Sequence, residues 1–226
     1  MKQVTRILAI MAHPDDAEFT CGGTFAKWIR EGKEVNYIVC TSGDKGSKDP
    51  EITPHRLAEI REREQRAAAQ ILGVKSVTFL RHKDGELKVD MAFRAEIAML
   101  IRRYQPDIIF THDAWRPYQL HPDHRAMGLT VTDAIVAARD HLYMPGLVTI
   151  GLEAHTPREI YLWGSEEPDY YEDITETIEV KLKALSRHRS QLSGFPQWRK
   201  RIRDWATATG KEKGLKFAEA FKRITL

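Results

Sequence analysis

The stretch Ile7-Leu8-Ala9-Ile10-Met11-Ala12-His13-Pro14-Asp15-Asp16-Ala17-Glu18 runs from an unbroken apolar segment into a turn holding one histidine and two adjacent aspartates. Gly22-Gly23-Thr24-Phe25-Ala26-Lys27-Trp28-Ile29 follows it. Residues 7–11 have the length and composition of a buried strand, and the glycine-led stretch opens a helix over residues 22–30. A strand, a polar turn and a helix make the first half of a parallel-sheet unit. The turn beyond the carboxyl end of such a strand is where open α/β sheets bind ligands.

Outward from this stretch the same rhythm recurs. Residues 35–41 read as a second strand and 54–72 as a long helix closed by Gly73. Residues 77–80 read as a third strand, 92–104 as a helix stopped before Pro106, 107–111 as a fourth strand, 121–139 as a helix and 159–163 as a fifth strand. The alternation predicts an α/β fold: a Rossmann-like, doubly wound, mainly parallel sheet flanked by helices. Residues 145–156 show no clear element. An amphipathic helix over 174–190 and two shorter helical stretches give residues 1–226 as a single domain with a helical C-terminal part at 175–226. In the strand order 3-2-1-4-5 the first and fourth strands are neighbours, and the loops after them face each other across the ligand crevice.

Composition agrees with a folded domain able to bury a core: 226 residues, 42% hydrophobic and 30% charged. No apolar run approaches the length of a membrane span, and residues 1–6 lack the apolar region of a signal peptide. We therefore expect a cytoplasmic protein that uses no membrane. Cys21 and Cys40 are the only cysteines and sit among apolar or glycine residues, as buried free thiols do. Charge is uneven: residues 181–226 hold 13 Lys/Arg against 3 Asp/Glu. No nucleic-acid motif accompanies that basic segment, so it reads as a solvated or subunit-facing surface and not a nucleic-acid site. Trp198, Trp205 and Phe217 within it suit either a homo-oligomer interface or packing over the sheet.

Two His-Pro-Asp tripeptides fall in the two facing loops: His13-Pro14-Asp15 and His121-Pro122-Asp123. His13 and Asp16, three residues apart, can point at one ion, and His124 supplies a third ligand from across the crevice. Two imidazoles and a carboxylate with one open position suit a catalytic zinc ion. The same donor set also serves non-haem iron oxygenases, but those sit on β-sandwiches or barrels. Asp15 is a spare carboxylate, placed either to cap the helix or to act as general base on water activated by the metal. His121 either ligates the ion as a fourth donor or points into the crevice to stabilise an oxyanion or protonate a leaving amine, with Asp123 holding its tautomer or charge.

These motifs resemble the PIG-L/LmbE family of zinc-dependent N-acetylglucosaminyl deacetylases. The resemblance rests on Ala12-His13-Pro14-Asp15-Asp16-Ala17-Glu18, Cys21-Gly22-Gly23-Thr24, Thr41-Ser42-Gly43-Asp44-Lys45-Gly46, Arg61 with Glu64 before Ile71-Leu72-Gly73, and His121-Pro122-Asp123-His124. It continues through Asp173-Ile174-Thr175, Lys181, His188 and Ser190-Gln191, nearly the whole chain. It implies His13, Asp16 and His124 as zinc ligands, Asp15 as base and His121 as oxyanion stabiliser or acid. It also implies Arg61, Asp44 and Asp84 as groups holding sugar hydroxyls, although Arg61 within Arg61-Glu62-Arg63-Glu64 reads equally as a solvated helix face. The implied substrate is a small N-acetylated amino sugar or its conjugate, with a related amidase on a non-sugar or thiol-conjugate amide as the alternative. One departure stands out. Members acting on thiol-pathway sugars carry a tyrosine two residues before the second-motif histidine, and here that position is Gln119, with Tyr118 beside it. Trp115 and Tyr118 lie in the same loop and suit either stacking on a sugar ring or ordinary packing.

Overall fold

A computed structural model describes residues 4–226. The strands are β1 (Arg6–Met11), β2 (Glu34–Thr41), β3 (Ser76–His82), β4 (Ile108–His112), β5 (Glu159–Trp163), β6 (Tyr170–Asp173) and β7 (Ala218–Thr225). The helices are α1 (Asp16–Arg30), α2 (Pro54–Leu72), α3 (Met91–Tyr104), α4 (Pro122–Arg139), α5 (Gly146–Thr149), α6 (Ile178–Leu185), α7 (Arg189–Leu192) and α8 (Trp198–Lys211). They build one seven-stranded sheet in the order β3-β2-β1-β4-β5-β7-β6. β1 pairs in parallel with both β2 and β4, β2 with β3, and β4 with β5, while β7 runs antiparallel to β5 and β6. The doubly wound order expected for the first five strands is present, and the crevice opens between β1 and β4.

Alternation along β1 splits the core in two. Leu8 and Ile10 face the helices α3 and α4 with Ile97, Ile101, Met127 and Val131. Ile7, Ala9 and Met11 face α1 and α2 with Phe25, Trp28, Ala68 and Leu72. A third cluster, with Ile174, Leu182, Leu185 and Ile202, seats α6 and α8. Trp198 and Phe217 pack against it, and Trp205 stands 54% exposed. Cys21 and Cys40 are buried free thiols. No helix among the described residues is long and apolar enough to cross a membrane.

The C-terminal part departs from the helical reading. The expected helix over 174–190 is the shorter α6 followed by α7, and the chain ends in β7 wedged between β5 and β6. Ala, Glu and Lys make up half of β7 and are poor strand formers on their own. Long-range pairing with residues 159–163 decides their conformation. A short helix, α5, also stands where no element was expected.

Candidate metal centre and active site

The carboxyl ends of β1 and β4 deliver the site residues, as the topology requires. Ala12 to Asp15 form the turn after β1, and His121 caps α4, with Pro122 in its first turn, a position where a missing N–H costs nothing. Gly128 lets α4 approach the end of β4: a Cβ there would stand 2.5 Å from the His112 carbonyl oxygen and 2.7 Å from the Ala114 side chain. One turn earlier on the same face, His124 is thereby brought to the mouth of the crevice.

His13, Asp16 and His124 come together. His13 Nδ1 lies 3.1 Å from His124 Nε2 and 3.6 Å from Asp16 Oδ2, and His124 Nε2 lies 3.4 Å from Asp16 Oδ1. Donors around a tetrahedral zinc ion at about 2.0–2.1 Å stand roughly 3.3 Å apart, a spacing that His13 and His124 approach, while Asp16 meets the two rings through different oxygens. The overlapping sets His13, His121 and His124, and Asp16, His112 and His124, each bring three donor atoms within 4.8 Å of one another. The far side of His13 is held as well, its Nε2 meeting Asp123 Oδ2 at 3.0 Å and Asp84 Oδ1 at 3.1 Å. A carboxylate behind a ligating imidazole fixes its tautomer and raises its basicity. Burial opposes a charged His13, yet Asp123, Asp16 and Asp84 outweigh it and push its pKa up to about 11. The cluster is a place for positive charge, which a bound cation would fit.

His112, which closes β4, completes the cluster and was not singled out from the sequence. Its Nε2 lies 3.1 Å from Asp16 Oδ2; the Ala12 N–H approaches the same nitrogen at the longer 3.4 Å. Trp163 Nε1 donates to His112 Nδ1 at 3.1 Å. An indole N–H can only donate, so Nδ1 accepts, and Nε2 carries the proton it gives to Asp16. Burial holds the ring's pKa down to about 4 despite Asp16, in keeping with a neutral imidazole. His112 therefore orients Asp16. The His13 backbone N–H donates to the same oxygen at 2.7 Å, which leaves Oδ1 as the oxygen facing His124.

Asp123 meets His121 as expected, but through its backbone and not its carboxylate. Its carboxylate is fully buried and accepts from the backbone N–H groups of Gly85 (2.7 Å) and Leu87 (3.1 Å) as well as facing His13. Only its backbone N–H meets His121, donating to Nδ1 at 3.3 Å. That bond leaves the His121 proton on Nε2. The His121 ring sits 4.5 Å from the His13 ring and 4.6 Å from the His124 ring. Burial, with His13 and His124 nearby, lowers its pKa.

Asp15 lies beside the cluster at φ 104° and ψ −23°, a conformation costing a non-glycine residue roughly 1–3 kcal/mol. Burial pushes its pKa up to about 6 against the pull of Arg61 and His188. Arg61 is 3% exposed and not on a solvated face. Its Nη2 meets Asp15 Oδ2 at 3.3 Å and donates to the Pro14 carbonyl, and Nη1 donates to the Gly43 carbonyl at 3.0 Å. Asp44 Oδ1 accepts from the Asp84 backbone N–H at 2.9 Å, and the Asp84 carboxylate faces His13. Trp115 is 59% and Tyr118 is 92% exposed.

Residues 8–135 match the family described as "PIG-L: GlcNAc-PI de-N-acetylase". The chain belongs to the PIG-L family. The diacetylchitobiose deacetylase of Thermococcus kodakarensis is 35% identical to it over 226 residues, covering 98% of this chain and 84% of that protein. A 1D-myo-inositol 2-acetamido-2-deoxy-alpha-D-glucopyranoside deacetylase of Mycobacterium sp. (strain JLS) is 28% identical, over 85% of this chain and 76% of its own. Among solved structures, the N,N'-diacetylchitobiose deacetylase of Pyrococcus horikoshii superposes with a TM-score of 0.94 at 33% identity, covering 99% of this chain and 85% of that one. The PIG-L chain described here is thus an amide-hydrolysing enzyme of the deacetylase kind.

Proposed function

We propose that this PIG-L chain is a zinc-dependent deacetylase that removes the N-acetyl group from an N-acetylglucosamine-containing small molecule or glycoconjugate, giving the free amine and acetate. The observation that carries the reading is the meeting of the His13, Asp16 and His124 side chains at the end of β1, with Asp15 next in the chain and the His121 ring 4.5 Å from that of His13. The names of the Thermococcus and Mycobacterium relatives support the substrate class.

His13, Asp16 and His124 would hold the ion, and two nitrogens and one oxygen suit zinc with an open position. When bound, the ion supplies Lewis acidity toward the amide carbonyl and a water of lowered pKa. Asp15 takes the proton from the attacking water, a task suited to a carboxylate whose pKa is raised to about 6. His121 offers its Nε2–H to the oxyanion as the carbonyl carbon becomes tetrahedral. The amine then departs with the proton that Asp15 has held. Arg61 serves this step by holding Asp15, and Asp44 is the acidic residue left to meet a sugar hydroxyl, since Asp84 is turned to His13. The proposal includes a homo-oligomer, which light scattering on the purified protein tests, and a cytoplasmic location, which fractionation of the producing cells tests.

The deciding assay follows acetate release from N,N'-diacetylchitobiose, N-acetylglucosamine and N-acetylglucosaminyl-malate. Acetate should appear in step with free amine, stop on chelation and return with zinc. Absence of acetate from all three by the zinc-loaded protein contradicts the reading.

A further inference from the structure

Behind Asp15 lies a group of buried polar side chains that the mechanism above does not use. Glu18, Gln65 and His188 are each 0% exposed. The Asp15 backbone N–H donates to Gln65 Oε1 at 2.8 Å. Gln65 Nε2 donates to Glu18 Oε1 at 3.0 Å, and His188 Nε2 meets the other Glu18 oxygen at 3.2 Å. Arg61, four residues before Gln65 on the same face of α2, donates to the carbonyl of Pro14.

The Pro14 carbonyl and the Asp15 N–H are the two ends of one peptide unit. Arg61 grips one end and Gln65 the other, so the plane of that peptide is fixed, and with it the rotation that sets Asp15 at φ 104°. Gln65 can grip in only one sense. A carboxylate accepts and cannot donate, so the Gln65 amide must turn its NH2 toward Glu18 and its oxygen toward Asp15. Turned over, it would set its NH2 against the Asp15 N–H and its oxygen against Glu18. His188, donating from Nε2, holds the Glu18 carboxylate that enforces the choice.

We propose that Gln65 is a positioning residue for the general base, holding the Asp15 peptide in the one orientation that aims its carboxylate at the reacting water, and that Glu18 and His188 lock Gln65 in that sense. The role of Asp15 in this proposal rests on the deacetylase reading above.

Gln65→Met removes the acceptor while keeping the volume of the side chain. Its kcat on N,N'-diacetylchitobiose should fall about 10- to 100-fold with KM little changed and zinc content equal to wild type. Gln65→Glu should recover most of the lost kcat, because a protonated carboxyl can donate to Glu18 with one oxygen and accept from Asp15 with the other. A crystal structure of Gln65→Met should show the Pro14–Asp15 peptide rotated and Asp15 relaxed to negative φ. A folded, zinc-loaded Gln65→Met with wild-type kcat overturns the proposal, as does an unmoved Asp15 in its crystal structure. If the wild-type chain releases no acetate, the deacetylase reading falls and the crystal structure alone decides: a rotated peptide supports the clamp and an unmoved one ends it.

Discussion

A single indole N–H fixes the chemistry of His112. Because Trp163 donates to Nδ1, the ring must give its one proton to Asp16, and the carboxylate is held with its second oxygen toward His124. Trp163→Phe keeps an aromatic ring, though a smaller one, and removes the donor. The Nδ1 acceptor would then be buried without a partner, at a cost of about 1–3 kcal/mol, and the proton would be free to move to the other nitrogen. Zinc affinity, measured by competition with a chromophoric chelator, should weaken roughly 10- to 100-fold, in the range found for partners that orient metal ligands. Sequence reasoning singled out His13, Asp16 and His124 as candidate ligands, three side chains that the structure brings close together, because paired His-Pro-Asp tripeptides are a local signal. It missed His112, whose only mark is that it closes the strand beside the switch point, and it misassigned the Asp123 carboxylate, whose partners at Gly85 and Leu87 come from a loop nearly forty residues away.

The helices do the positioning. α4 brings His124 to the crevice only because Gly128 tolerates a backbone contact that no other residue would. In Gly128→Ala the added carbon meets the His112 carbonyl, so the helix or the end of β4 must move. We expect a stability loss of about 1–3 kcal/mol in thermal unfolding, together with weaker zinc binding. α2 acts on the other side of the crevice. Its Arg61-Glu62-Arg63-Glu64 run looks like an exposed charged face, yet Arg61 points inward, and a helix seen only as a charge pattern does not tell which turn faces a buried carboxylate. The segment from His188 to α7 closes over α2, with Ser190 donating to Glu64 through both N–H and hydroxyl. Burial opposes charge on His188, but Glu18 raises its pKa above the usual 6.5. A raised value means that the folded state keeps this proton to higher pH than the unfolded chain. The contribution is therefore full below about pH 6.5 and drains away as pH rises through the raised value. The Tm gap between wild type and Glu18→Gln should accordingly narrow from pH 6 to pH 9; a constant gap would show that the pair does not titrate with folding.

At the scale of the whole molecule, the strand-turn-helix rhythm carried the order of β1 to β5 and hence the meeting of two loops about a hundred residues apart. The rhythm stops at β5. β6 and β7 are short or built from weak strand formers, and their place is set by pairing across the sheet and by side chains such as Glu219, which accepts from the backbone N–H groups of Gly23 and Thr24 and from Lys181. Periodicity has no access to such contacts. What the fold accomplishes is to bring His13 and Asp16, after β1, against His124, at the start of α4, with Asp15 beside them. The most direct test is Asp15→Asn, with zinc content and acetate release from N,N'-diacetylchitobiose measured on the same sample. The account predicts one zinc per chain, as in wild type, and no detectable turnover. Turnover at the wild-type rate with zinc in place would contradict it.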